Sequence, residues 1–451
     1  MLVPVNAKPA WLKLLPDSLG SWFQERASLL AIIENTGWLF ADKALRMVVG
    51  VFVGAWLARY LGPSQFGEMA YVLSFVAFFS VVAQLGLDGV AVRDMALNEG
   101  DSPAILGTVL RLRVVAGFVA WAAAIAAMKL LRPADSQALL LTAIAAAALV
   151  FQAADTVDLW FQSKTQSKRT VVSKSYAYLA ANVLKVGLIV AEASLAAFVL
   201  VGVIELAVSA AILWRAYRKY PSPLRWRWSR DRMVQLLREC APYLFAGLAV
   251  LVYMRIDQLM LRDMVGQHEL GLYSAALPLS TALHFIPLAL CMSVAPAMTR
   301  LRQRDAEAYE RALGQLFSAM WWIMIPLAAL VALLSPHIVS VLYGSAYAAT
   351  APILAVHVFA AVPVALGVAQ SIWIVNEGRN MISLYRTVIG AICNVALNLL
   401  LIPHFGGLGA AVATVAAQTS AAVVSNIILA PKMLRLQLSS LFNFNLRVAS
   451  K

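Results

Sequence analysis

Residues 137–154 read QALLLTAIAAAALVFQAA, a run without any charged side chain and without regular alternation of polar and apolar positions. An α-helix rises ~1.5 Å per residue, so about 20 apolar residues cross the ~30 Å hydrocarbon core of a bilayer. Strands of a membrane β-barrel alternate strictly between polar and apolar residues, and this run does not. The run therefore predicts a membrane-spanning helix.

Comparable runs recur along the whole chain. Of its 451 residues 61% are hydrophobic and 13% are charged, and the mean hydropathy is +0.77. An average soluble domain is about one quarter charged, so this chain has too little charge to cover a water-exposed globule. The abundant apolar surface also argues against intrinsic disorder. The composition indicates a polytopic membrane protein.

The length rule predicts twelve spans in two sets of six. They lie near 37–60, 67–90, 108–130, 137–160, 171–191 and 195–216, and near 240–262, 270–298, 313–334, 351–375, 381–402 and 408–430. The predicted fold is an all-α integral membrane protein with about twelve transmembrane helices in two six-helix bundles. The predicted domains are an interfacial segment 1–35, bundles 36–217 and 240–430, a basic linker 218–239 and a cytoplasmic tail 431–451.

The net charge of +13 is distributed unevenly between the two sides of the predicted membrane. One side carries Arg59, Lys129, Arg132 and Arg262, and nearly all other flanking cations lie on the opposite side. Basic flanks stay in the cytoplasm, so both termini are predicted to be cytoplasmic. The basic balance then reflects topology and contacts with membrane lipids, and it is no sign of nucleic-acid binding. The alternating stretch Arg225-Trp-Arg-Trp-Ser-Arg230 suits the headgroup layer.

The two halves contain a similar turn. Gly62 and Gly67 follow the first span, and Gly266 and Gly271 follow the seventh, each pair five residues apart. Such a pair can recur by chance, but the position within each half is the same. Six spans per half would make this a parallel repeat about an axis along the membrane normal.

Several motifs in fixed order carry a family resemblance. They are Ala41-Asp-Lys43 with Arg46, Ala58-Arg-Tyr-Leu-Gly-Pro-Ser-Gln-Phe-Gly67, Gln84-Leu-Gly-Leu-Asp88 with Arg93, Tyr253-Met-Arg-Ile-Asp257, Leu342-Tyr-Gly-Ser-Ala-Tyr347 and Gly407-Leu-Gly-Ala-Ala-Val-Ala-Thr414. Across about 36–430 the chain resembles the polysaccharide transporter family, which contains the O-antigen flippases. That family belongs to the multidrug/oligosaccharidyl-lipid/polysaccharide exporter superfamily, together with multidrug antiporters and the peptidoglycan lipid flippase.

The resemblance implies two bundles in a V around a central cavity, alternating between inward-open and outward-open states. The implied substrate is an undecaprenyl-pyrophosphate-linked oligosaccharide, moved from the cytoplasmic to the periplasmic leaflet of a bacterial inner membrane. The purpose would be assembly of O-antigen, capsule or exopolysaccharide. The implied partners are a glycan polymerase and a chain-length regulator.

Ionisable residues inside spans are costly, so each should face a cavity or a partner. The candidate substrate-binding cations are Lys43, Arg46, Lys185 and Arg255, with Arg111 and Arg113 near the start of the third span. The candidate charge-pairing or ion-coupling acids are Asp42, Asp88, Asp155, Asp158, Glu205 and Asp257. A proton or a sodium ion is the coupling ion that such acids would serve.

Two alternatives stay open for the first span. Asp42 and Arg46 share a helix face, so they either line a cationic passage for pyrophosphate or clasp the span to a neighbour. Arg255 and Asp257 are two residues apart and point about 200° from each other, so each needs a separate partner. If Arg46 and Arg255 faced each other across the repeat axis, both halves would line a positive cavity.

Five further charged positions need an interpretation. Asp155 and Asp158 either pair with a lysine, Lys174 or Lys185, or form a proton or cation site. Glu205 is the most isolated acid and the first candidate for coupling to protonation. Arg111 and Arg113 either guide a headgroup into the passage or anchor the cytoplasmic side.

Two other functions compete with the flippase interpretation. A membrane-embedded glycan polymerase or ligase would need a large extramembrane loop or a catalytic cluster. No predicted periplasmic loop exceeds about 20 residues, and DxD, HExxH and P-loop motifs are missing from the sequence. A drug or cation antiporter of the same fold would need an acidic cavity. The three cysteines form neither a metal-binding pattern nor a disulfide framework. No enzyme activity, metal or cofactor is predicted.

Overall fold

The computed structural model describes residues 27–219 and 225–442. Every regular element within these ranges is helical, which confirms the all-α fold. Residues 1–26 of the predicted interfacial segment and residues 443–451 of the predicted tail lie outside the described residues, whereas residues 27–35 belong to the first helix.

Sixteen α-helices are labelled here in chain order within the described ranges. They are α1 Ala27–Gln84, α2 Asp88–Leu97, α3 Ser102–Leu131, α4 Ser136–Phe151, α5 Asp155–Ser163, α6 Ser167–Val190, α7 Leu195–Arg218, α8 Arg230–Met264, α9 Gln267–Ala282, α10 Phe285–Arg304, α11 Ala306–Tyr343, α12 Thr350–His357, α13 Ala361–Asn376, α14 Asn380–Thr419, α15 Asn426–Leu429 and α16 Pro431–Phe442. Short 3-10 or π turns join several of them into longer helical segments.

Nine helical segments within the described residues are long and apolar enough to cross a membrane. Two of them, Phe40–Leu97 and Asn380–Leu429, are much longer than one crossing requires. Each contains a glycine with a positive φ, at Gly62 (φ 70°) and Gly406 (φ 54°), where the helix direction breaks. The multi-pass helical membrane fold is clear, and the count of twelve spans stays a prediction.

Helix α6 is a predicted span that does not belong to these nine segments. It has 24 residues, enough for one crossing, but Lys168, Arg169, Lys174 and Lys185 interrupt its apolar sequence. Its hydropathy is therefore low, although it packs between α1 and α7. A helix of this kind fits inside a bundle when its charges have partners.

The repeated glycine turns contact each other reciprocally. A Cβ on Gly67 would overlap the carbonyl oxygen of Gln267, and a Cβ on Gly271 would overlap the carbonyl oxygen of Pro63. Pro63 and Gln267 directly follow the equivalent glycines Gly62 and Gly266. The second part of α1 and helix α9 thus cross at backbone distance through equivalent positions, as a two-fold related repeat predicts.

Both halves meet at the end of the molecule that holds these turns. Arg262 contacts the carboxylates of Glu68 (3.0 Å) and Asp135 (3.3 Å), and Arg132 pairs with Asp263. These residues belong to the loops and helix ends that charge distribution predicts to be periplasmic. The largest hydrophobic core lies at the same end and draws on both halves, with Ala58, Val72 and Ala120 beside Leu270, Tyr273 and Ala410.

Candidate functional site

A cavity of about 500 Å³ lies where the second part of α1 meets the C-terminal half. Phe66, Leu73 and Ser74 line it from the N-terminal half. Helix α8 contributes Arg255 and Gln258 from the C-terminal half. Its lining combines apolar side chains with polar and charged ones, and a cavity of this size between two bundles is a common place for a ligand site.

The guanidinium of Arg255 is the main positive charge of this cavity. Its side chain is exposed to the cavity, and Nη1 donates to the Ser74 hydroxyl at 3.5 Å. Among the residues that the structure describes, no carboxylate oxygen lies within 4 Å of this guanidinium. Most of its five N–H donors therefore remain available to an incoming anion.

Asp257 is buried beside the same cavity but points to different partners. Its carboxylate accepts hydrogen bonds from the Tyr273 hydroxyl and from the backbone N–H of Gln258 at 2.8 Å. The Gln258 side chain in turn accepts from Ser74 at 2.6 Å. Arg255 and Asp257 thus have separate partners, as their spacing on the helix predicts, and the acid does not neutralise the arginine by contact.

A second cation, Arg386 on α14, lies against a neighbouring cavity of about 180 Å³. It donates to the carbonyl oxygen of Gly367 at 3.1 Å and to the Ser371 hydroxyl at 2.9 Å. Tyr253 donates to Gln418 at 2.6 Å, and these two side chains line both cavities. The C-terminal half therefore holds two arginines whose hydrogen-bond partners are neutral oxygens.

Sequence reasoning missed Arg386 because it counted this residue among the cytoplasmic flanking cations. A signal was available, since Arg386 lies five residues inside the predicted span 381–402. A cation at that depth requires a cavity or a partner, like the other intramembrane charges.

The predicted site residues of the first span belong to a different cluster. Arg46 contacts Asp42 at 3.0 Å and Glu205 at 3.8 Å, and its guanidinium lies 4.6 Å from the centre of the Tyr178 ring. Ser175 donates to Asp42 at 2.7 Å, so α1 is tied to both α6 and α7. This is the clasp predicted as one alternative. Arg46 does not line the cavity of Arg255.

Glu205 is not the isolated acid that the sequence suggested. Arg46 lies beside it, and the charge of Lys185 on α6 also acts on it. The hydropathy pattern could not reveal this, because three separate helices bring these charges together. Lys43, next to Asp42 in sequence, is exposed.

Four more predicted charges of the N-terminal half, Asp88, Arg113, Asp155 and Asp158, are paired. Lys174 bridges Asp155 (2.7 Å) and Asp158 (2.8 Å), which agrees with the pairing alternative. Buried Arg113 forms an ion pair with Asp88. These pairs hold α5 to α6 and α2 to α3.

Arg111 is exposed on another surface. Its guanidinium lies 5.5 Å from the centre of the Trp228 ring, and it does not line the cavity of Arg255. The described residues contain no cluster of three or more His, Cys, Asp or Glu side chains that could hold a metal ion.

Chemically, the C-terminal half is the part of this chain suited to an anion. Arginine binds phosphate oxygens in bidentate fashion, and a guanidinium with no carboxylate in contact keeps its N–H donors available to an anion. In the N-terminal cluster Arg46 has two carboxylates within 4 Å, so its guanidinium has fewer donors available to an anion.

Comparisons with known proteins agree with this architecture. Residues 56–352 match the model of a family described as polysaccharide biosynthesis protein. An uncharacterised membrane protein of Methanocaldococcus jannaschii is 28% identical over 176 residues, which is 38% of this chain. The matched part spans about a third (34%) of that relative's length.

Three solved structures share the fold at 14% identity. Lipid II flippase MurJ, in an inward closed conformation, gives a TM-score of 0.71 over 90% of this chain and 91% of its own. An inward-facing multidrug resistance MATE family transporter gives 0.71 over 88% and 96%. A MOP superfamily transporter from Pyrococcus furiosus gives 0.63 over 90% and 96%. The family resemblance of the sequence motifs is confirmed.

Proposed function

The chain belongs to the polysaccharide biosynthesis protein family, and from this premise we propose that it is a flippase for undecaprenyl-pyrophosphate-linked oligosaccharides. It would move them from the cytoplasmic to the periplasmic leaflet of a bacterial inner membrane, with both termini cytoplasmic. The glycan would then serve O-antigen, capsule or exopolysaccharide assembly, in cooperation with a polymerase and a chain-length regulator.

One observation carries the proposal: Arg255 lies in a cavity between the two halves without a carboxylate in contact. A pyrophosphate is the part of the substrate that lipid tails cannot solvate, since moving a charge into low dielectric is costly. An arginine with free donors offsets that cost while the sugar occupies the cavity. The fold shared with a lipid II flippase supports a lipid-linked substrate.

The proposal requires alternating access between two states, and the contacts described above provide a closed end. Arg262, Glu68 and Asp135 join the two halves at the end predicted to be periplasmic. Breaking these contacts would open the cavity of Arg255 to that side. No chemical bond is formed or broken in this cycle, so the protein would act without catalytic residues.

The test is a flipping assay with the full chain in proteoliposomes, using a fluorescent undecaprenyl-pyrophosphate oligosaccharide. We expect Arg255→Ala to lower the initial flipping rate at least about tenfold, because a charged hydrogen bond contributes roughly 1.5–3 kcal/mol. Arg255→Lys should keep part of the rate, since it preserves charge without bidentate geometry. Arg304→Ala, an exposed arginine at the end of α10, is the matched control.

An unchanged rate in Arg255→Ala, with the protein correctly inserted, would refute the role of this arginine.

Drug or cation antiport is a second candidate function, favoured by buried Asp257 beside the same cavity. Antiport predicts uptake of a cationic dye driven by a proton or sodium gradient and lost in Asp257→Asn. If the rate of glycan flipping is the same with and without a proton or sodium gradient, ion coupling is excluded.

A further inference from the structure

A second, larger pocket of about 550 Å³ lies on the N-terminal half, where the linker between the halves packs. It shares no lining residue with the cavity of Arg255. Its walls are α3, the end of α7 and residues 225–228 of the linker. The charge distribution of the sequence predicts this end of the molecule to be cytoplasmic.

The linker is fixed in place by its backbone. The N–H of Arg227 donates to the carbonyl oxygen of Pro103 at 2.8 Å, and the N–H of Ser229 donates to the Thr108 hydroxyl at 3.1 Å. A Cβ on Gly107 would overlap the carbonyl oxygen of Arg227, so only glycine permits this approach. These backbone contacts therefore fix the position of the linker, and with it the shape of the pocket.

The charge of the pocket has one sign. Its lining includes four arginines and no carboxylate. The four are Arg111, Arg218, Arg225 and Arg227, all exposed. Within the described part of the chain, no carboxylate oxygen lies within 4 Å of any of them. Such a concentration of arginine favours an anion with several oxygens, above all a phosphate.

Aromatic rings form the rest of the wall. Trp226 donates its indole N–H to the Tyr217 hydroxyl at 2.6 Å, and its ring lies edge-on to Trp214 with centroids 5.3 Å apart. Arg111 stacks over Trp228, and Arg218 lies 5.6 Å from the Trp214 ring. Tryptophan and arginine together are typical of the bilayer interface, where rings meet acyl-glycerol and guanidinium groups meet phosphate.

We propose that this pocket binds the headgroup of an anionic phospholipid from the cytoplasmic leaflet. The phosphate would lie among the guanidinium groups of Arg111, Arg218 and Arg225, with the glycerol against the tryptophan rings. Binding would hold residues 225–229 on α3, and Ser229 accepts a hydrogen bond from the N–H of Arg232 as the cap of α8. The bound lipid would therefore stabilise the start of the helix that carries Arg255.

Native mass spectrometry of the full chain in detergent tests the proposal, with phosphatidylglycerol, phosphatidylcholine and inorganic phosphate as separate probes. We expect one phosphatidylglycerol per chain to bind at least about tenfold more tightly than phosphatidylcholine. The double variant Arg111→Gln/Arg218→Gln should lose at least about tenfold in this affinity. The control Arg300→Gln/Arg304→Gln removes the same charge from exposed positions on α10 and should lose less than about threefold.

A second pair of variants changes geometry and leaves charge constant. Gly107→Ala should displace the linker and weaken phosphatidylglycerol binding, whereas Gly187→Ala adds a Cβ where no atom lies within 4 Å. Arg255→Ala should leave the affinity unchanged, which separates this site from the flippase site. Equal losses in the two double-arginine variants, or equal affinity for both phospholipids, would overturn the proposal. Full competition by inorganic phosphate would assign the pocket to free phosphate and overturn it too.

Discussion

In the N-terminal half, Arg46 lies between the carboxylates of Asp42 and Glu205, whereas in the C-terminal half Arg255 donates to the hydroxyl of Ser74. The contrast extends to Arg386, whose partners are a carbonyl oxygen and a hydroxyl. Both halves thus bring cations into the membrane region, but they compensate the charge differently.

The difference separates two uses of an intramembrane arginine. A cation between two carboxylates stabilises the packing of its helices and has little net charge to offer a substrate. A cation that donates only to neutral oxygens keeps its charge, which is useful if a mobile anion supplies the balance. We infer that the N-terminal cluster is structural and that the C-terminal arginines form the anion site.

The two halves agree at the crossing of α1 and α9, where Gly67 and Gly271 make equivalent contacts. We expect Gly67→Ala and Gly271→Ala to destabilise the protein by similar amounts, about 3 kcal/mol each, because the added Cβ has to displace backbone. This is the largest expected effect among the variants that test the comparison. Thermal unfolding of the purified protein in detergent measures it.

Gly54→Ala is the control for both glycine variants. This residue is in α1, and a Cβ there would meet no atom within 4 Å. A mild stabilisation is expected, since alanine favours a helix more than glycine does. Unequal losses in the two test variants would show that the crossing is not symmetric in energy.

The charge clusters should respond differently from the glycines. We expect Arg46→Ala to cost about 1–3 kcal/mol in stability, because Asp42 and Glu205 then lose the cation that contacts both of them. The double variant Asp42→Asn/Arg46→Gln should recover most of the loss and should flip substrate at near the wild-type rate. Unfolding and the proteoliposome assay are measured on the same preparations.

A stable double variant that fails to flip substrate would place Arg46 in the transport site and remove the distinction between the halves. Arg255→Ala provides the opposite pattern, with a large loss of rate and little loss of stability. Its side chain is exposed and has no ion pair to lose among the described residues.

Much of the fold could be predicted because it follows from local rules. Long apolar runs such as 137–154 specify helices through their length alone, and the glycine turns revealed the repeat. Helix α6 shows the limit of hydropathy, since its lysines are tolerated through partners on other helices. Its contacts with α1 and α7 could not be derived from its own sequence.

The site was harder to predict because pairing depends on helix rotation and register. The i,i+4 spacing of Asp42 and Arg46 gave that contact, but Glu205 is more than 150 residues away in sequence. Arg386 was assigned wrongly because it lies near the end of a predicted span. A cation at such a position resembles one that only anchors the cytoplasmic side of the helix. Both positions are decided by tertiary packing.

The C-terminal half also pairs charges, but outside its spans. Arg302 donates to Glu377 through Nε at 2.7 Å and Nη2 at 3.3 Å, and this hydrogen bonding lowers the pKa of the Glu377 carboxyl. A lowered pKa means that the contact stabilises the fold above the ordinary glutamate pKa of about 4.3. The stabilisation is then lost as the pH falls through the lower pKa of the folded state.

We expect Glu377→Gln to reduce stability by less than about 1 kcal/mol at pH 7, because the pair is near the surface. The gap to the wild type should shrink as the pH falls through the lowered pKa of the folded state, where the wild-type carboxylate also becomes neutral. Thermal unfolding of both proteins at pH 7 and at a pH below that lowered pKa measures the gap. A gap of the same size at both pH values would mean that packing, and not charge, joins these residues. Charge pairing would then contribute little at this edge of the C-terminal half, and the contrast between the halves would rest on Arg46, Arg255 and Arg386 alone.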